Sequence, residues 1–271
     1  METIEDYGEG ENKKSWLKIL LSTMILLLIF SLLFFYWFIP TKTFSFLPVE
    51  QSDNFSLSGS TQMQFYPNLR FPDTTISYKI TDCNLQRTSD MKLAFEFISN
   101  LTSLVFYPVY SEEEISVSCQ EKQEYNKGLW IAGEGGPTNI TKAGAFNIIT
   151  HGQILLLKDS QCTHPNIAIH ELLHVLGFDH SDNKNNLMYN VTSCDQTIGK
   201  EIVNLINQLY SIEPLPDLTI ENASATINGK YLDANISIRN QGFKDSGNFK
   251  LLIYADEKLI KELEVLAISS G

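Results

Sequence analysis

The sequence predicts an α+β domain, a mixed twisted sheet with one site-bearing helix and one closing helix, set between a membrane-length helix and a small all-β module. Three observations carry that prediction. Residues 19 to 41 contain no charged side chain. Between residues 76 and 206 apolar residues switch repeatedly between period-two and 3-to-4 spacing, as strands and helices require. Beyond a proline-containing segment at 213–217 only period-two spacing remains.

The elements follow in chain order. Residues 1–12 hold five carboxylates and neither Lys nor Arg, so 1–14 read as a short disordered tail. Residues 15–41 read as a transmembrane helix, because the 23 uncharged positions from 19 to 41 cover about 30 Å when helical. A cleaved signal peptide is the other reading, but its apolar region is usually about 7–15 residues and ends at small residues, whereas this run ends in Phe38-Ile39-Pro40-Thr41. Lys13, Lys14 and Lys18 before the span against Lys42 after it place the N-terminus in the cytoplasm and the rest outside. All four cysteines, Cys83, Cys119, Cys162 and Cys194, lie on the outer side, an even number suited to an oxidising space. So do six Asn-x-Ser/Thr sequons, at Asn54, Asn100, Asn139, Asn190, Asn222 and Asn235.

Residues 42–69, rich in Ser, Gln, Asn and Thr, read as a stalk. Ile76, Tyr78 and Ile80 alternate as a half-buried strand. Met91, Ala94, Phe95, Ile98, Leu101 and Val105 take helical spacing behind a cap at Thr88 or Ser89, and Ile115, Val117 and Cys119 alternate again. Strand, helix, strand in that order predicts a crossover between parallel strands. Gly133-Glu134-Gly135-Gly136-Pro137 reads as a loop, with strand candidates at 148–149 and 154–157. A helix from Pro165 to Gly177 and a closing helix from about 195 to 210 complete the domain, assigned to residues 70–211. Residues 217–271 form the all-β module: Leu232, Ala234, Ile236 and Ile238 alternate, Asn240-Gln241-Gly242 turns, and 249–254 resumes.

The formal charge of −12 argues against a nucleic-acid partner, since phosphate binding needs a basic surface.

Three of the five histidines fall in His170-Glu171-Leu172-Leu173-His174-Val175-Leu176-Gly177-Phe178-Asp179-His180. On a helix His170 and His174 share one face, so both imidazoles can point at one zinc ion with Glu171 beside them. Gly177 can take the left-handed conformation that ends the helix, and the chain then turns back to bring His180 up as third ligand. Three protein ligands leave the fourth position for water, the pattern of a catalytic site. A structural zinc would be closed by a fourth side chain, and Cys162 and Cys194, the nearest candidates, read better as half-cystines. His151 and His164 have no partner at ligand spacing and read as hydrogen-bonded or surface histidines.

This long histidine motif, followed by Leu187-Met188-Tyr189, resembles the metzincin clan of zinc endopeptidases, and the stretch from His180-Ser181 onward is most similar to its matrixin branch. The resemblance is sharp over 165–190 and looser over about 70–211. It implies a metzincin-like catalytic domain, one catalytic zinc held by His170, His174 and His180, Glu171 as the base, and Met188 in a tight turn beneath the metal. It further implies a protein or peptide substrate that pairs with an edge strand, for which 129–136 and 152–157 are both candidates. Calcium is left open, with no residue pattern in its support. The propeptide thiol that keeps many matrixins latent has no counterpart before the catalytic region.

Four cysteines allow three pairings and sequence alone does not choose. Cys83 with Cys119 and Cys162 with Cys194 is favoured because the second pair brackets the zinc helix and the Met-turn. The terminal module resembles the immunoglobulin-like CARDB modules, at about half of the roughly 100 residues such a sandwich needs. Together these features imply a single-pass, membrane-anchored, extracytoplasmic zinc endopeptidase. The alternative is a catalytically silent zinc-binding adhesion protein, against which an intact Glu171 argues.

Overall fold

A computed structural model of the chain describes residues 10–37, 42–46, 57, 60–121, 125–126, 129–228 and 231–271. Two units emerge, residues 1–49 with 220–237, and residues 50–219 with 238–271.

The first unit contains helix α1 (Gly10–Trp37), within which Trp16–Phe35 has a mean hydropathy of 2.5 and no buried residue. Its length and composition suit a membrane crossing, and it begins inside the segment read as a tail, of which 1–9 lie outside the described residues. Strand β1 (Lys42–Phe46) comes from the segment read as a stalk. It pairs antiparallel with a strand far along the chain, Lys42 opposite Ile227 and Phe46 opposite Ala223. Residues 42–46, read as the start of a stalk, are therefore a sheet strand paired with a strand of the C-terminal module.

In the second unit a single turn, α2 (Ser60–Met63), leads into β2 (Leu69–Arg70), β3 (Thr75–Thr81), helix α3 (Leu85–Leu101), β4 (Val105–Pro108) and β5 (Ile115–Cys119). A short hairpin, β6 (Tyr125–Asn126) with β7 (Leu129–Trp130), precedes the long antiparallel pair β8 (Gly133–Ala143) and β9 (Phe146–Leu156). Helices α4 (Asn166–Val175) and α5 (Lys200–Tyr210) complete the domain. The six-stranded sheet runs β4-β3-β5-β9, with β2 beside the first residues of β9 and β8 on its other side. β3 pairs in parallel with both β4 and β5, as the crossover through α3 predicted.

Several boundaries differ from the sequence expectation. α3 starts earlier than a Thr88 or Ser89 cap would place it, because the Asn84 side chain caps it by accepting from Arg87 N at 2.8 Å. α5 starts later than 195, because Thr197 is used elsewhere: Leu187 N donates to Thr197 O at 2.9 Å and Thr197 N to Asn185 O at 3.1 Å. The two strand candidates at 148–149 and 154–157 are one strand, β9. The run 133–137, read as a loop, is the first half of β8.

Alternation buries one face of the sheet. Ile76 and Tyr78 on β3, Ile115, Val117 and Cys119 on β5, and Ile154 and Leu156 on β9 join the core with Met91, Ala94, Phe95 and Ile98 of α3. α4 lies within this core, with Leu172, Leu173 and Val175 fully buried.

The module contributes β10 (Leu218–Asn228), β11 (Tyr231–Asn240) and the hairpin β12 (Phe249–Ala255) with β13 (Lys258–Val265). Within the second unit Phe243 packs edge-on to Phe146 at 4.8 Å between centroids and lies 5.0 Å from the Arg70 guanidinium. Arg70 is fully buried and donates to the backbone oxygens of Phe71, Pro72, Leu209 and Ile212, so it closes the C-terminal end of α5 with its whole fork engaged.

Candidate metal centre and cleft

α4 ends as the glycine predicted. Gly177 has φ +94°, Gly177 N donates to His174 O at 2.9 Å and Phe178 N to Leu173 O at 3.0 Å, a Schellman motif. A Cβ at Gly177 would also lie 2.7 Å from Leu69 Cδ2. This turn aims the Phe178 carbonyl at His174 Nδ1, 2.8 Å away, and sends the chain back toward His180.

The second backbone support comes from the loop 181–189. Asn186 is buried; its Oδ1 accepts from Met188 N at 2.9 Å and its Nδ2 donates to Glu201 on α5 at 3.0 Å. Ser181 N donates to Met188 O at 2.8 Å and closes the loop. Met188 is fully buried in the core, and the Leu187 carbonyl lies 2.7 Å from His170 Nδ1.

These carbonyls fix the tautomers. A carbonyl oxygen has no proton to give, so Nδ1 of His170 and of His174 must each donate. Burial holds His170 down to about 4 and lowers His174 as well, so both rings are neutral near pH 7. Each Nε2 is then a bare lone pair. His170 Nε2 and His174 Nε2 lie 3.0 Å apart, and His174 Nε2 lies 3.2 Å from His180 Nε2. The lone pairs of His170 and His174, held 3.0 Å apart, repel unless a cation stands between them. The spacing fits a tetrahedral zinc, where nitrogens at 2.0–2.1 Å from the metal are about 3.3 Å from each other. Among the described residues this is the one cluster of three ligating side chains.

Glu171 is 6 % exposed beside these rings. Burial pushes its carboxyl up to about 8, and Glu134 adds to the rise. It is covered by β8: Gly133 and Gly135 face it so closely that a Cβ on Gly133 would lie 2.8 Å from Glu171 Oε1, and one on Gly135 would lie 2.9 Å from Glu171 Cα. Composition made this run look like a loop; close backbone approach to the helix is what requires the glycines.

The cleft along α4 and β8 has a volume of about 760 Å³. Ile167, Glu171 and the three histidines line it on one side, and residues 158–162 and 190–194 form its other wall. The structure joins Cys162 to Cys194 across that wall and Cys83 to Cys119 at the end of β5, the pairing favoured from the sequence. Of the two edge-strand candidates, 152–157 falls in the interior of the sheet between β5 and β8, whereas β8 pairs only with β9 among the described strands.

Sequence reasoning missed Asn186, Gly133 and Gly135, and it missed Phe65, whose ring stacks on His174 at 5.7 Å. Phe65 N donates to Gly177 O at 3.0 Å, so part of the segment read as a stalk is pinned to the end of α4. The aromatic pair Phe65-Tyr66 amid polar residues was the available signal. His151 bonds Ser116 and Thr138 through its ring nitrogens, away from the metal centre.

The comparisons agree with this geometry. The model of the matrixin family matches residues 70–211, just over half of the chain, and the CARDB model matches 215–271. Interstitial collagenase B of Mus musculus is 26 % identical over 185 residues, covering 64 % of this chain and 40 % of that protein. The chain thus spans less than half the length of that relative. With its catalytic-domain match, three converging imidazoles and an α+β fold, the chain belongs to the matrixin family of zinc metalloproteases.

Proposed function

We propose that the protein is a membrane-anchored, extracytoplasmic zinc endopeptidase whose metal ligands are His170, His174 and His180, whose base is Glu171 and whose Met-turn residue is Met188. The catalytic domain is assigned to 70–211, the anchor to 15–41 and the module to 217–271. The observation that carries the reading is the convergence of three imidazole rings beside the buried Glu171 carboxyl, under a strand that pairs on one side only among the described residues.

Zinc bound by the three nitrogens supplies Lewis acidity, which polarises a carbonyl and acidifies water. The chain's own residues do the rest. Among the described residues β8 pairs on one side only, so its other edge offers backbone groups with which an extended peptide can continue the sheet and lay the scissile bond along the cleft. Glu171, with its proton affinity raised by burial, takes a proton from the attacking water and delivers it to the leaving amide nitrogen. Leu187 O and Phe178 O keep His170 and His174 in the tautomer that leaves Nε2 free. Ile167 and Val191 give the wall an apolar part for a substrate side chain.

The test is cleavage of a mixed library of unstructured peptides by the full chain in detergent, with and without a chelator, beside Glu171→Gln. Chelator-sensitive cleavage that Glu171→Gln loses while still binding one zinc supports the assignment. Wild-type turnover by zinc-loaded Glu171→Gln refutes it, and one bound zinc with no cleavage by the wild type moves the protein to the adhesive reading.

A further inference from the structure

The wall of the cleft contains a sequon, Asn190-Val191-Thr192, that the peptidase reading leaves unused. Asn190, Val191 and Thr192 all line the cleft. The backbone from 190 to 194 is irregular, Asn190 is exposed, and among the described residues neither its side chain nor that of Thr192 is engaged in a hydrogen bond. The sequon asparagines share that placement: Asn100, Asn139, Asn190, Asn222 and Asn235 are all exposed, while Asn54 lies outside the described residues. The buried asparagines, Asn68, Asn166, Asn186 and Asn240, are none of them in sequons and all hold hydrogen bonds.

We propose that Asn190 carries an N-linked glycan that stands at the mouth of the cleft and restricts substrates to extended chains. The inference rests on the outward placement of the catalytic domain. The donor is a lipid-linked oligosaccharide phosphate. The amide nitrogen of Asn190 bonds to C1 of its first sugar, the bond from C1 to the phosphate oxygen breaks, the lipid phosphate leaves with the electron pair, and the amide proton goes to a base of the transferase. A glycan on this wall sterically opposes a folded protein surface more than a single extended strand. Its chain is anchored two residues after the Met-turn, so it cannot be carried far from the site.

The test uses the full chain purified from membranes of a glycosylating host. After reduction of the Cys162–Cys194 disulfide, trypsin releases residues 185–200, bounded by Lys184 and Lys200, as a peptide with this sequon alone. That peptide should carry the added sugar mass, lose it in Thr192→Ala and keep it in Thr192→Ser. Cleavage of a folded protein relative to a short peptide of the same cut sequence should rise several-fold when the glycan is removed enzymatically. A bare 185–200 peptide alongside glycans on Asn100, Asn222 or Asn235 overturns the inference, as does a bare chain throughout. An unchanged cleavage ratio overturns the gating role. Protease accessibility of the domain on intact cells reads the orientation separately, so a domain found inside identifies failure of the placement instead.

Discussion

Replacing Gly135 by alanine, with Gly136→Ala as its partner, isolates the contact between β8 and the metal-binding helix. A Cβ at position 135 would run into the Glu171 carbonyl oxygen and lie 2.9 Å from Glu171 Cα and 3.0 Å from its carbonyl carbon. All three are backbone atoms of α4, so no rotamer change relieves the overlap. At position 136, one residue on, a Cβ meets nothing within 4 Å. Forcing a methyl into a closed contact costs about 1–3 kcal/mol. For a folded unit of 150–250 residues that corresponds to a melting-temperature loss of about 2–12 °C. If the strand and helix separate instead, Glu171 moves relative to a peptide on β8, and a misplacement of about 1 Å costs about 10²-fold in turnover. Gly136→Ala should change stability by no more than about 0.5 kcal/mol. Thermal melts of both variants and kcat/KM of Gly135→Ala against the wild type decide the matter. If the two variants melt together and Gly135→Ala turns over normally, β8 does not rest on α4 as described.

Gly177→Ala should cost about 1–3 kcal/mol, because alanine at φ +94° is strained and its methyl meets Leu69; urea unfolding measures it, and a neutral result refutes the turn geometry. Phe243→Ala, which empties a nearly buried site against Phe146 and Arg70, should cost about 3–5 kcal/mol and lower the melting temperature of the catalytic domain itself; no change would mean the contact is not formed. Cys162→Ser with Cys194→Ser opens a loop of sequence separation 32 and should cost about 3–4 kcal/mol, seen as a lower melting point that reductant also produces in the wild type.

The parts of the fold written in local periodicity were legible. Alternation at Ile115, Val117 and Cys119 gave β5, and the 3-to-4 spacing of Met91, Ala94 and Phe95 gave α3, because each depends on which face meets the core. The histidine cluster was legible for the same reason: spacing of four on one helix, then a glycine stop, states the geometry directly. What failed depended on partners distant in sequence. Gly133 and Gly135 read as loop because nothing local shows that a helix will lie against them. Gln196 and Thr197 read as helix because their pairing with 184–187 is invisible from within the segment. β1 read as stalk because its partner, β10, lies beyond the whole catalytic region.

The metal centre depends on that same non-local packing, which yields a prediction about a residue that touches no metal. His170 and His174 are oriented by two carbonyls, Phe178 O from the helix-ending turn and Leu187 O from the loop after it. The first is secured by Gly177. The second is secured by Asn186, whose side chain holds Met188 N on one side and Glu201 of α5 on the other. Asn186→Ala removes both bonds at once, and the Leu187 carbonyl loses the framework that aims it at Nδ1. Loss of such a support weakens metal affinity by about 10–100-fold. Because zinc binds the folded state, a 100-fold weaker site also forfeits up to about 2.7 kcal/mol of the stabilisation that saturating metal provides. Competition with a chromophoric chelator should therefore show Asn186→Ala releasing zinc at lower chelator concentration, and its melting point should fall more with metal present than without. Equal zinc affinity in the variant would mean that His170 is oriented without the Asn186 loop, and that the loop serves packing alone.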